Sequence, residues 1–341
     1  MHTVTLKNLK YDQEAFDWKD MAFSNAAGQE DKALASKFNS RAQWEDAMRD
    51  KTQNLFADID PTNNSRSMDK LDAIAEKVFE KVKRVVTTYN PVPLMYDVRR
   101  GQLGKTLEAH EIQGGRVYNR TYGGFMNISQ LKHVTYTITS RPAAVHFQLP
   151  IEQLKTGRYS VSDLVFAASQ AIIRYKTALA YDTYVSAYTT GSTGYVTNAG
   201  GVAISKTVID NAIDSLADFD VSSITVFGRY SKLTPITDFT GYADVALEEM
   251  RKSGVIGKYR GASVLRVKYD VDEVYGTEAF QDTSLFLLSN EKYFNRYVEV
   301  EPLTRNQWID PADKTMHMTF SFEDGAAIWK LKYGHRIYSV G

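Results

Sequence analysis

The chain has 341 residues, 43% of them hydrophobic and 12% aromatic, enough for two or three domains with real cores. Forty-one basic side chains balance forty-one acidic ones, so the basic excess of a protein that grips phosphate backbones is missing. Cysteine is absent, which excludes disulfides, thiolate metal sites and a cysteine nucleophile, and fits a reducing compartment.

Met1 to Lys7 has neither a basic segment nor an apolar one, so no secretory signal is expected, and the Asn119-Arg120-Thr121 sequon carries no weight. Residues 1–39 are mixed in charge, with scattered Leu6, Leu9, Phe16, Trp18, Phe23 and Phe38, and read as an arm that needs partners to be ordered. Ser40-Arg41-Ala42-Gln43 has capping-box spacing ahead of Trp44, Ala47, Met48, Leu55 and Phe56, which predicts a helix ending before Asp60-Pro61. Thr62 to Ser65 forms a polar break. From Ser67, the positions Leu71, Ile74, Ala75, Val78, Phe79, Val82, Val85 and Val86 draw a clean helical stripe; Lys77, Lys81, Lys83 and Arg84 are expected on its solvated face. Asn90-Pro91-Val92-Pro93 stops that helix, because proline lacks a donor and restricts the residue before it.

Between Tyr96 and Pro150 the character changes to short β-like runs punctuated by Gly101, Gly104, Gly114, Gly115, Gly123 and Gly124. Neither GxGxxG nor GxxxxGK[ST] occurs there, so the glycines mark bends and bulges in an extended ribbon and no phosphate loop is expected. Val134, Tyr136 and Ile138 alternate with threonines, and Val145, Phe147 and Leu149 alternate with His146 and Gln148, which predicts a hairpin across a Ser140 to Ala143 turn. In the charged tip from Arg99 to Arg120, Leu103, Leu107 and Ile112 are nearly the only aliphatic anchors among Arg99, Arg100, Lys105, Glu108 and Glu111. These eight residues are expected to meet a neighbouring subunit, since they cannot bury a core of their own.

Ser160 to Tyr188 is the longest helix-like run, without Gly or Pro and roughly 40 Å long at the usual rise per residue. Ser160 or Ser162 can cap it, with Asp163 in the first turn. Val161, Leu164, Val165, Ala168, Ile172, Tyr175 and Leu179 form its expected core stripe. Asp163, Gln170, Arg174, Lys176 and Asp182 interrupt it, so it is no membrane span.

Turn-rich Gly191 to Gly194 and Asn198 to Gly201 mark a domain boundary. Beyond it, Ser205 caps a helix through Leu216, a strand covers Ser223 to Phe227, a helix covers Tyr242 to Lys252, and strands cover Gly261 to Val267 and Ser284 to Leu288, an α/β alternation. Tyr297 to Glu301, Met316 to Phe322 and Ala326 to Leu331 read as closing strands.

Chemistry-bearing patterns are missing. The histidines at 2, 110, 133, 146, 317 and 335 show no metal-ligand spacing, GxSxG is absent, and Glu248-Glu249 and Asp270 with Asp272 read as a helix surface and a loop. No catalytic, cofactor or metal residue is expected.

The order of elements, with Thr156 to Ser160 leading into the long helix and Val255 to Gly261 leading into a strand, resembles the major capsid proteins of tailed bacteriophages of the Hong Kong 97 type. The resemblance implies an α+β fold: residues 1–90 a helical arm, 91–150 the extended loop and its β base, 151–200 a peripheral domain with a spine helix, 201–296 an axial domain, and 297–341 a β-rich return. It also implies a structural, non-enzymatic subunit that forms pentamers and hexamers of an icosahedral virion shell in the host cytoplasm. Its partners would be other copies of itself, a separate scaffolding protein, a portal, possible decoration proteins and weakly held double-stranded DNA, with no cofactor and no membrane. No covalent cross-link is expected among Lys105, Lys132 and the asparagines. An encapsulin-type compartment is the nearest alternative and a cytoplasmic α/β enzyme the more distant one. A loop region of about fifty residues speaks against the enzyme.

Overall fold

The computed structural model describes residues 41–57, 59, 64–90, 92–101, 107–113, 131–189, 195–199, 204–218, 224–229, 232–233, 258–267, 284–289, 295–310 and 312–338. The arm over 1–39, the Ser40 cap, the turns at 191–194 and 200–201 and the helix expected over 242–252 lie outside them. In chain order the elements are helices α1 (Arg41–Phe56), α2 (Asn64–Tyr89) and α3 (Val92–Met95), strands β1 (Val98–Arg100), β2 (Leu107–Gln113), β3 (Lys132–Ile138) and β4 (Ser140–Pro150), and helices α4 (Ile151–Lys155) and α5 (Val161–Ala187). Then follow β5 (Val196–Asn198), α6 (Lys206–Ala217), β6 (Ile224–Arg229), β7 (Lys258–Tyr259), β8 (Ala262–Val267), β9 (Leu285–Ser289), β10 (Asn295–Asp310), β11 (Thr315–Ile328) and β12 (Gly334–Tyr338). They cluster into two units interleaved along the chain. One takes residues up to Asn90, Pro142–Tyr175 and Pro302–Phe322, and the other Pro91–Arg141, Lys176–Glu301 and the residues from Glu323 on.

In the first unit, α1, α2 and the start of α5 pack on β4 and the adjacent part of β11. Met316, Met318, Phe320 and Phe322 alternate inward on β11 and meet the α2 stripe and Val161, Leu164, Val165, Ala168 and Ile172 of α5, all buried except the half-buried Phe79 of the stripe. Tyr175 is half-buried, its ring edge-on to Phe322 at 5.4 Å. The helix α2 begins at Asn64, inside the expected polar break, and Lys81 is buried on it whereas Lys77, Lys83 and Arg84 are exposed. The Asn90-Pro91 stop holds, but Pro93 sits inside the short helix α3, where a first-turn proline costs no hydrogen bond.

The start of α5 is a reciprocal cap. The Asp163 backbone N–H donates to Ser160 Oγ at 3.2 Å, and the Ser160 backbone N–H donates to Asp163 Oδ2 at 3.0 Å. The acceptor of the cap is therefore Ser160, and Ser162 joins it through a 2.7 Å hydroxyl contact. Ser160→Ala should cost about 1–2 kcal/mol. Urea unfolding of the variant measures it; an unchanged midpoint would assign this helix start to packing alone.

In the second unit, a six-stranded mixed sheet runs in the order β5-β12-β9-β6-β8-β7, with β6 parallel to β8 and β12 parallel to β5. The strand β9 is buried along its whole length, as a central strand covered on both faces must be. The helix α6 lays Ile209, Ala212, Ile213 and Leu216 into this core. Its N-cap residue Ser205 has the extended backbone of a cap, but its hydroxyl makes no cap hydrogen bond. The rest of α5 brings Leu179, Ala180, Tyr181 and Tyr184 into the same unit, all buried. The Tyr184 ring packs at a tilt against Tyr96 at 4.8 Å and Phe286 at 5.6 Å, and its hydroxyl donates to the Met95 carbonyl at 2.8 Å. Burial pushes the Tyr96 and Tyr184 hydroxyls well above the usual tyrosine range.

Two strand expectations are corrected. The alternating runs at 134–139 and 145–149 do not pair with each other: β3 pairs with β2, while β4 joins β11 in another sheet, and the chain stays extended through Ser140 to Ala143. The crossing is packed too closely for a side chain on β11, since a Cβ on Gly325 would stand 2.9 Å from both Ile138 Cγ2 and the Thr139 carbonyl. At the terminus, β11 runs to Ile328, and the closing strand is Gly334–Tyr338 instead of Ala326 to Leu331.

His335 on β12 is buried, with Nε2 2.8 Å from Thr197 Oγ1, and burial holds its pKa below the ordinary histidine value. The unfolded chain then binds the extra proton more readily. The stability contributed is full above about pH 6.5 and is lost as pH falls from there through the depressed folded value. His335→Gln should flatten that part of a stability-versus-pH curve measured by urea unfolding; an unchanged slope would place the proton elsewhere.

Candidate assembly interface

The smallest sheet among the described residues is the two-stranded ribbon β2–β3. Seven antiparallel pairs join it, from Leu107 opposite Ile138 to Gln113 opposite Lys132. Ile138 is buried with Val298 and Val300, and Tyr136 stacks on Trp329 at 4.9 Å beneath the Arg296 guanidinium. Burial then falls along β3: Val134 is half-buried, His133 and Lys132 are exposed, and Leu131 presents 73% of its surface. Among the described residues no third strand joins this sheet. A two-stranded ribbon of this kind is marginal alone.

The expected contact residues separate. Arg99 and Arg100 do not belong to the ribbon: they stand exposed on β1, opposite Val298 and Glu299 of β10. Arg99 also pairs with Asp97 at 3.1 Å. Leu107, Glu108, Glu111 and Ile112 lie on β2, opposite Ile138, Thr137, Val134 and His133, and Glu108 is exposed. Leu103 and Lys105 lie outside the described residues. Leu131 was missed because a single leucine between Gln130 and Lys132 carries no periodic signal.

The strands that anchor the ribbon also hold a buried ionic cluster. Lys176 Nζ of α5 donates to Glu299 Oε1 at 3.0 Å and to Asp324 Oδ1 at 3.3 Å, with Asp324 Oδ2 at 3.1 Å as an ion-pair contact. Asp324 is fully buried, and desolvation raises its pKa above the usual carboxylate range although the Lys176 ammonium pulls it down. Beside it, Glu323 accepts a hydrogen bond from the Ser140 hydroxyl where the chain enters β4.

Among the described residues no three His, Asp or Glu side chains converge on a metal position, and no helix is long and apolar enough to cross a membrane.

No protein-family model matches the chain, and no curated protein matches it. Solved structures do. The capsid of the cyanophage P-SCSP1u is 13% identical and superposes with a TM-score of 0.52 over 72% of this chain and 86% of that one. The mature capsid of bacteriophage PhiM1 is 8% identical, with a TM-score of 0.52 over 72% and 85%. A virus-like particle from Pyrococcus furiosus is 14% identical, with a TM-score of 0.50 over 77% and 98%. At these identities the likeness is one of fold: the chain has the α+β fold of the Hong Kong 97-type capsid proteins.

Proposed function

We propose that the chain is the shell-forming subunit of an icosahedral particle, assembled as pentamers and hexamers around the double-stranded DNA of a tailed phage, and that it carries no catalytic activity. The likeness to capsid subunits over roughly three-quarters of the chain carries this reading. A subunit that must make repeated, symmetry-closing contacts needs elements that are marginal alone, and the two-stranded β2–β3 ribbon is such an element. The zero formal charge would let many copies gather without accumulating repulsion and would leave packaged DNA loosely held. A separate scaffolding protein, a portal and decoration proteins are the partners such a particle would use, with assembly in the host cytoplasm. On the resemblance, residues 151–200 would form the peripheral domain and residues 201–296 the axial one.

Electron microscopy of the expressed chain, with and without its co-expressed scaffolding protein, tests the reading. Closed particles are the expected result, and a strictly monomeric protein in every condition would overturn it. The likeness to the Pyrococcus furiosus particle supports a second reading, an encapsulin-type shell around protein cargo. Nuclease treatment of particles purified from infected cells separates the two: protected double-stranded DNA supports the phage shell, and protein cargo without DNA supports the second reading.

A further inference from the structure

The first unit carries an aromatic and histidine group on the face of β4 and β11 opposite its core. Met316 and Met318 point inward from β11, with Val145 and Phe147 packed against that core from β4, so His317 and His146 between them point outward. Trp308 of β10, 42% exposed, lies parallel to the His317 ring at 4.9 Å and stacks on His146 at 5.3 Å. The inner ring nitrogens, His146 Nε2 and His317 Nδ1, are 3.1 Å apart. Each outer nitrogen has a hydroxyl partner: His146 Nδ1 lies 2.8 Å from Thr319 Oγ1, and His317 Nε2 lies 3.0 Å from Thr315 Oγ1.

Threonine hydroxyls accept, so both rings can carry their N–H outermost, donated to threonine. In those tautomers two lone pairs face each other at the separation of two ligands sharing one ion with metal–nitrogen bonds of about 2.0–2.1 Å. The threonines would then do what outer partners of ligating histidines do, fixing tautomer and ring orientation. The geometry points to a surface site for one divalent transition-metal ion of the imidazole-binding kind, zinc in the first instance, held by His146 Nε2 and His317 Nδ1. Water completes its coordination, since His146 stands open to solvent. Because β4 is the outermost strand of its sheet, the bound ion would tie that edge to β11. Sequence spacing hides the pair, as its members are 171 residues apart.

The test is calorimetric titration of zinc chloride into the chelator-stripped full chain in a non-coordinating buffer, with thermal melting of the same samples. Wild type should bind one ion per chain saturably, and its Tm should rise with zinc concentration, because the ion binds the folded state. His146→Gln and His317→Gln should each weaken binding tenfold or more and remove the zinc-dependent rise, whereas His133→Gln, on the exposed ribbon, should change neither. Glutamine keeps a hydrogen-bonding side chain at either position, so the zinc-free melts check the fold. Absence of saturable binding in wild type, or equal affinity in the His146 and His317 variants, overturns the site and leaves an ordinary hydrogen bond between the rings.

Discussion

Lys176→Met is expected to cost about 3–5 kcal/mol of folding stability, because it strands a fully buried carboxylate that its ammonium now compensates. Removing one partner of a buried pair is costly where removing both is not, since only the first leaves an unpaired charge. The double variant Lys176→Met, Asp324→Leu should therefore recover most of the loss, with Glu299 left on its more exposed side of the cluster. The loss in the single variant should also depend on pH, with a defined sign. The folded-state pKa of Asp324 is already raised by burial, and removing Lys176 takes away the main influence that lowers it. Stability in the variant is thus best retained below the unfolded carboxylate value of about 3.9 and is lost as pH rises through the raised folded value. Urea unfolding at mildly acidic and at neutral pH measures this. A pH-independent loss, or a double variant no better than the single, would mean that the cluster is wetter than its burial indicates.

This cluster also marks the limit of what could be read beforehand. Lys176 stands in the sequence as one of several charges interrupting the long helix, enough to exclude a membrane span, but its partners are 123 and 148 residues away. Local periodicity reports burial on the element's own face and nothing about which distant strand supplies a counter-charge. The helix α5 was legible for the same reason: its cap and its stripe are local, and Ser160, Val165 and Ala168 are where a period of 3.6 places them. The aromatic end of α5 was not, because Tyr181 and Tyr184 are buried by the six-stranded sheet, outside the stripe drawn through Tyr175 and Leu179.

Strand pairing was the least legible level. The alternation at 134–139 and 145–149 correctly indicates two half-buried strands, and adjacency in sequence favours a hairpin between them. In place of the hairpin the chain runs extended through Ser140 to Ala143 from one sheet into another, passing close against Gly325. The partner β2 could not be chosen in advance, since Leu107, Ala109 and Ile112 show no clean alternation. For the same reason the sequence does not separate Arg99 and Arg100 from the ribbon: nothing in Val98 to Arg100 announces that three residues pair parallel with β10, nearly two hundred positions on.

Replacing Gln102 to Gln113 by a short Gly-Ser linker is expected to abolish particle formation while leaving the subunit folded. The change deletes β2, so β3 loses all seven of its partners. Among the described residues the apolar core of the six-stranded sheet contains none of β3, and Ile138 keeps its contacts with Val298 and Val300. Loop changes that spare packed layers cost little, so thermal melting should stay close to wild type. Leu131→Asp tests the same surface with the ribbon intact: an exposed substitution should change stability by no more than about 0.5 kcal/mol, yet in the proposed assembly it would place a charge where a neighbour would bury a leucine. Circular dichroism, thermal melting and sedimentation of both variants form the measurement. Native-like melting with no particles is the result expected of an intersubunit ribbon. Normal particles from both variants would remove the ribbon from assembly, and a collapsed melting curve for the linker variant would make β2 part of the subunit's own core.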